Sequence, residues 1–316
     1  MSSIQEKIAV VFPGQGAQRP GMGRDFYDGA AVCRDTFEEA SDALGWDVSS
    51  MCFGNDERLD HTEFTQPCLL TTEIAMFRGL GVLHGLAPSL YGGHSLGEFT
   101  SLVAAGVIPL SDAVRIVQMR GRLMQAAAPV GLGGMAAVIA EALDVDDLDQ
   151  ALSDLPVDIA NVNSPTQIVL SGAADDLSKA AVRIVDVLEE GRSFRFVPLN
   201  VSAPFHSRYM RCVEAEFSEI LRSVSGKMDV KKAVSVTSNF TGRFHEGCQE
   251  DLLRDLTCQL GSRVRWVDNM EAITAEADTI YEIGPGRPLR EFFRTIAVNC
   301  LSVTTLSSAS RLFGSN

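Results

Sequence analysis

The chain opens with a short apolar run, Ile8 to Phe12, which Pro13-Gly14 cuts off; it reads as a buried strand. A helical pattern follows as far as Leu44, where Gly45 stops it. A second helix is predicted from Gln66-Pro67, with the proline in its first turn. A short strand over 89–92 and a helix from Leu96, closed by Gly106, come next. Strand and helix signals that alternate in this way favour an α/β class.

The rhythm changes at Pro129-Val130-Gly131-Leu132-Gly133-Gly134, a linker by composition. Beyond it the pattern predicts strand 135–140, helix 146–154, strand 157–162 and a turn at Asn163-Ser164-Pro165. Strand 166–172, a helix from Asp175 to about Glu190 and strand 192–199 complete the segment. Leu177, Ala180, Ala181, Ile184 and Leu188 make one apolar stripe on that second helix. The order βαββαβ is a ferredoxin-like pattern. Residues 129–199 are therefore expected to form a small domain inserted into a larger one built from 1–128 and 200–316. In the larger part, further strands are predicted near 234–237, 278–283 and 299–304.

Composition narrows the function classes. With 316 residues, 46% of them apolar, the chain can bury a sizeable core. A formal net charge of −14 argues against nucleic acid as a partner, which calls for a basic footprint. The seven cysteines form no C-x-x-C or other close pair, so a reducing compartment is expected and a disulfide framework is not. No stretch approaches the roughly 20 apolar residues of a membrane span, and the N-terminus lacks a signal-peptide pattern. A cytoplasmic monomer with no membrane partner is the expectation.

Gly93-His94-Ser95-Leu96-Gly97 matches G-x-S-x-G between a predicted strand and a predicted helix. Glycines permit the sharp turn that lifts such a serine to a helix N-terminus, where backbone N–H groups can hold an oxyanion. The bland alternative is a serine N-cap. A nucleophilic serine needs a base, and the chain has five histidines: 61, 84, 94, 206 and 245. His94 adjoins the serine, and neighbours on a tight turn point apart. His61, His84 and His245 lie in polar or helix-end contexts that suit surface residues. His206 sits in an irregular segment where the small domain returns to the large one, and is the favoured base.

Helix 111–127 carries an anomaly. Ala113, Ile116, Val117, Met124 and Ala127 share one face, and Arg120 falls in the middle of it, whereas Arg115 and Arg122 face the other way. An inward guanidinium must find an anion. Either an internal Asp or Glu supplies it, or Arg120 clamps a substrate carboxylate. Serine, histidine and inward arginine together suit an acyl group bearing a free carboxylate, such as malonyl. Position 19 is arginine where a dinucleotide loop beginning at Gly14 needs glycine, and no phosphate loop or metal-ligand spacing is found. No metal or cofactor is expected.

Seven segments in order resemble the malonyl-CoA:acyl carrier protein transacylase family. They are Phe12 to Gln18, Thr65-Gln66-Pro67, Gly93 to Glu98, Arg120 to Gln125, Asn161 to Pro165, Ala203 to Ser207 and Glu282 to Gly286. The resemblance implies an α/β-hydrolase-like large subdomain with a ferredoxin-like insert. It also implies ping-pong transfer of malonyl from malonyl-CoA to the phosphopantetheine thiol of an acyl carrier protein. Ser95 would be the nucleophile, His206 the base, and the main-chain carbonyl of Gln259 the group that orients it. The N–H groups of Gln15 and Leu96 would form the oxyanion hole, and Arg120 would hold the carboxylate. Gln66, Met124, Asn161, Asn163 and Phe205 would line the substrate path. The family usually has proline where Arg263 stands. Arg263, Arg265, Arg287 and Arg290 are candidates for a basic patch facing an acidic carrier protein. A discrete acyltransferase serving a polyketide synthase shares all these residues. A hydrolase acting on carrier proteins or esters has no need of Arg120.

Overall fold

In the computed structural model, residues 6–129, 131–187 and 194–314 are described. Their strands are β1 (Ile8–Phe12), β2 (Leu90–Gly93), β3 (Gly133–Ala140), β4 (Val157–Ser164), β5 (Gln167–Ala173), β6 (Phe194–Pro198), β7 (Thr279–Ile283) and β8 (Cys300–Val303). They form a parallel sheet ordered β2-β1-β7-β8 and an antiparallel sheet ordered β4-β5-β3-β6. The helices that matter for the site are α1 (Thr62–His84), α2 (Leu96–Ala104), α3 (Leu110–Ala126), α4 (Val145–Ala151), α5 (Ala174–Val187), α6 (Gln249–Cys258), α7 (Trp266–Glu276) and α8 (Pro288–Thr295).

β1 is a continuous apolar run because it pairs on both edges and its two faces meet different cores: Val10 and Phe12 one, Ala9 and Val11 the other. The second sheet alternates. Val138, Ile159, Ile168 and Leu170 face Leu148 of α4 and Leu177, Ala180 and Ile184 of α5. Met135, Ala137, Ala160 and Val169 turn to the main core instead. With α4 and α5 between the strands, the order is the βαββαβ expected, so the fold class is α/β with a ferredoxin-like unit inserted in an α/β-hydrolase-like frame.

Three expectations need correction. The helix read from Gln66-Pro67 begins at Thr62, and Pro67 lies inside it. His61 is its N-cap without a side-chain cap bond, so the usual start signal is missing. The expected strand near 234–237 is a 3-10 turn, Val230–Ser235, after which Val236 bridges to Tyr91 and Thr237 to Phe244 as isolated bridges. The turn at Asn163-Ser164-Pro165 shifts, because β4 runs through Ser164. Leu188, the expected helix end at Glu190, the strand start at 192 and linker residue Val130 lie outside the described residues.

Candidate active site

The glycines of the serine turn are fixed by contact distances. A Cβ on Gly93 would sit 2.0 Å from the Gly97 backbone, and one on Gly97 would sit 2.2 Å from the Phe12 carbonyl oxygen. No side chain fits at either place, so β2 turns into α2 within two residues. Ser95 absorbs the turn with φ 52° and ψ −100°, a strained backbone for a residue with a side chain. The Asn239 amide fastens it: Oδ1 accepts from Ser95 N–H at 2.6 Å and Nδ2 donates to the Gly93 carbonyl at 2.7 Å.

His206, also at positive φ (54°), is buried and reaches the serine. Its Nε2 lies 2.7 Å from Ser95 Oγ and its Nδ1 lies 2.9 Å from the Gln259 carbonyl oxygen. A carbonyl only accepts, so Nδ1 carries the proton and Nε2 presents its lone pair to the serine hydroxyl. Burial, then the Arg120 charge, pulls the His206 pKa down to about 3, against the Gln259 carbonyl. The ring is therefore neutral at pH 7, a state in which Nε2 can accept a proton.

Arg120 is 1% exposed. Among the described residues no Asp or Glu pairs with it, so the internal ion pair left open by the sequence is absent. Its Nη1 donates to Gln66 Oε1 at 3.0 Å; its Nη2 donates to Gln259 Oε1 at 2.8 Å and to Ser95 Oγ at 3.1 Å. Its Nε is buried without an acceptor, and the guanidinium lies 5.4 Å from the Phe99 ring centre. Burial lowers its pKa to about 10, opposed by Glu98. Neutral amides thus hold a cation with donors to spare beside Ser95.

A cleft of about 480 Å³ opens over these groups. Ser95, His206, Arg120, Gln15, Leu96, Gln66, Met124, Asn161, Asn163 and Phe205 all line it, together with Met135 and Val169 from the small sheet. The N–H groups of Gln15 and Leu96 have no acceptor among the described residues. Gln15 Nε2 ties its loop to Thr62 Oγ1 at 3.2 Å. His94 points away from Ser95, with Nε2 2.8 Å from Asn163 Oδ1. Gln259 is the one expected residue behind the wall rather than on it; its Nε2 donates to the Ser95 carbonyl at 3.1 Å and to Glu98 Oε2 at 2.7 Å.

Arg263, in the family's proline position, pairs with Asp149 of α4 at 2.6 Å, and Val264 exchanges backbone bonds with Ala160 and Val162. Arg265 is taken by Asp268 at 2.5 Å. Arg287 and Arg290 are exposed and have no ion-pair partner among the described residues. Among those residues no group of three or more His, Cys, Asp or Glu is placed to hold a metal ion. One reading fails: His245, expected at the surface, is 4% exposed. Two further residues of the site were missed, Asn239 and Glu98. Glu98 carried a signal, being the only charge in the otherwise uncharged segment 96–105; Asn239 carried none.

The profile described as acyl transferase domain matches residues 9–292. The malonyl CoA-acyl carrier protein transacylase of Staphylococcus aureus (strain MRSA252) is 38% identical over 310 residues, spanning 95% of this chain and 96% of that protein. The chain belongs to the malonyl CoA-acyl carrier protein transacylase family. A crystal structure of an acyl carrier protein S-malonyltransferase from Vibrio cholerae superposes with a TM-score of 0.89 at 34% identity, over 97% of this chain and 99% of that one. A malonyl-transacylase solved in complex with its type II PKS acyl-carrier protein gives 0.87 at 34% identity, over 98% and 100%. As a member of this family the chain is an acyltransferase, and the malonyl-transacylase fold accounts for both of its sheets.

Proposed function

We propose that the chain moves a malonyl group from malonyl-CoA to the phosphopantetheine thiol of an acyl carrier protein through a malonyl-serine. In the first half, His206 Nε2 takes the Ser95 proton as Oγ attacks the thioester carbonyl. The oxyanion is received by the Gln15 and Leu96 N–H groups, a type of donor worth about 3 kcal/mol each in acyl transfer. Collapse expels the coenzyme A thiolate, which takes the proton from His206. In the second half, His206 Nε2 accepts the proton of the carrier thiol as its sulfur attacks the malonyl-serine. Collapse of that adduct returns the proton to Ser95 Oγ. The Gln259 carbonyl keeps the ring in the tautomer both halves need, in place of an acid.

The observation that carries the malonyl reading is Arg120: buried, paired with no carboxylate among the described residues, and hydrogen-bonded to Ser95 Oγ itself. Gln66, Met124, Asn161, Asn163 and Phe205 line the path to it. Residues 129–199 act as an inserted subdomain whose sheet roofs the cleft, with 1–128 and 200–316 forming the catalytic part. We place the protein in the cytoplasm as a monomer; among the described residues no helix is long and apolar enough to cross a membrane.

Intact-protein mass spectrometry after mixing with malonyl-CoA or acetyl-CoA tests the reading. A malonyl adduct is expected that requires Ser95 and exceeds the acetyl adduct, with the preference lost in Arg120→Ala. Equal labelling by both donors would overturn the carboxylate clamp and bring forward the hydrolase. A carrier of polyketide synthesis is the second reading, favoured by the likeness to a transacylase solved with its type II PKS carrier. Malonyl transfer rates to a fatty-acid carrier and a polyketide carrier, measured side by side, separate the two.

A further inference from the structure

Behind the serine turn lies a buried row of charged and polar groups that the two half-reactions do not use. Glu98, fully buried on α2, is used on both oxygens. Its Oε2 accepts from Gln259 Nε2 at 2.7 Å and Asn239 N–H at 2.9 Å, and its Oε1 faces His245 Nε2 at 3.0 Å. Three donors converge on it, as they do on a carboxylate. On the far side of the ring, His245 Nδ1 lies 3.7 Å from Asp255 Oδ2 on α6, whose other oxygen is held by Arg254. On its own segment the flanking charges, Arg243 and Glu246, are exposed.

Gln259 joins this row to the site. Its Nε2 is committed to Glu98, which can only accept, so its Oε1 is turned to Arg120 Nη2. One amide therefore separates a buried carboxylate from a buried guanidinium that pairs with no carboxylate among the described residues. Left unbalanced, Glu98 is the anion that Arg120 would take.

We propose that His245 is a specificity-positioning residue: as a buried cation it occupies Glu98 and so keeps Arg120 open for the carboxylate of the acyl donor. This rests on Arg120 being that clamp. The charge of His245 is consistent with its surroundings, since burial lowers its pKa but Asp255 and Glu98 raise it further, to about 9. Removing the charge leaves Glu98 with neutral donors only, and the free energy of the Glu98–Arg120 attraction then competes with malonyl binding.

The test is the ratio of Ser95 acylation rates by malonyl-CoA and acetyl-CoA, read by intact-protein mass spectrometry. In His245→Gln, which keeps an amide donor and loses the charge, the ratio is expected to fall by about tenfold or more, the scale on which a buried neighbouring charge acts. Acetyl transfer, which does not call on Arg120, should change by less than about threefold. Adding Glu98→Gln to that variant should bring the ratio back toward wild type. Should His245→Gln fail to fold, Asp255→Asn keeps the ring in place and is expected to move the ratio in the same direction. An unchanged ratio, or malonyl and acetyl rates falling together, overturns the role of His245 and leaves the clamp standing. A wild-type enzyme without malonyl preference overturns both.

Discussion

His206 and His245 are both 4% exposed, yet they are held in opposite states: His206 is hydrogen-bonded at both nitrogens, whereas His245 is bonded at Nε2 alone and its Nδ1 lies 3.7 Å from Asp255 Oδ2. His206 meets a hydroxyl and a carbonyl, with a guanidinium nearby; burial and that charge leave it neutral. His245 meets two carboxylates, and their charge outweighs the burial. Burial alone therefore does not make a base of a histidine. What matters is whether the partners offer charge or only hydrogen bonds.

The largest effect that would break this comparison is kinetic. His206→Asn should slow Ser95 acylation by about 10³-fold or more, because the hydroxyl loses its proton acceptor. The same change at His245 should leave acetyl transfer nearly intact. Stopped-flow or quenched mass spectrometry of both variants would show it, and similar losses at the two sites would erase the distinction.

Next in size is the dependence of stability on pH. His206 has a folded pKa below its unfolded value near 6.5, so stability is lost as pH falls from there toward about 3. His245 has a raised folded pKa; its contribution is full below pH 6.5 and is lost as pH rises through about 9. Each limb is on the order of a few kcal/mol. Urea unfolding across pH should flatten on the acid side in His206→Asn and on the alkaline side in His245→Gln.

The smallest effect sharpens the comparison from outside. Arg263→Gln breaks a partly exposed pair with Asp149 on the segment that carries Gln259. It is expected to cost less than about 1 kcal/mol by denaturant titration and to leave the acylation rate within about twofold. A larger loss of rate would mean that the Gln259 carbonyl depends on this pair.

These differences also explain what could be read from the sequence. Arg120 stood out because its contrast with an apolar stripe is local, and Ser95 because its glycines are adjacent. Glu98 offered the same contrast, a lone acid in an uncharged helix, and was passed over as part of a motif. His245 could not be found this way: Glu98 lies 147 residues earlier, and only the fold brings it to the ring. The small sheet was legible because period-two and helical stripes alternate over a short span. The start of α1 was not, since backbone groups rather than a capping side chain begin it.

The inserted unit enters and leaves through neighbouring strands: Ala136 pairs with Pro198, and Leu199 N–H donates to the Met135 carbonyl at 2.9 Å. Its two ends are thus closed by its own ladder. For the rest of the chain, the separation between α3 and His206 then behaves as a much shorter span than the one in sequence. Since closure entropy grows with the logarithm of loop length, early folding of this unit lowers the entropic cost of bringing Arg120 and His206 to the same serine.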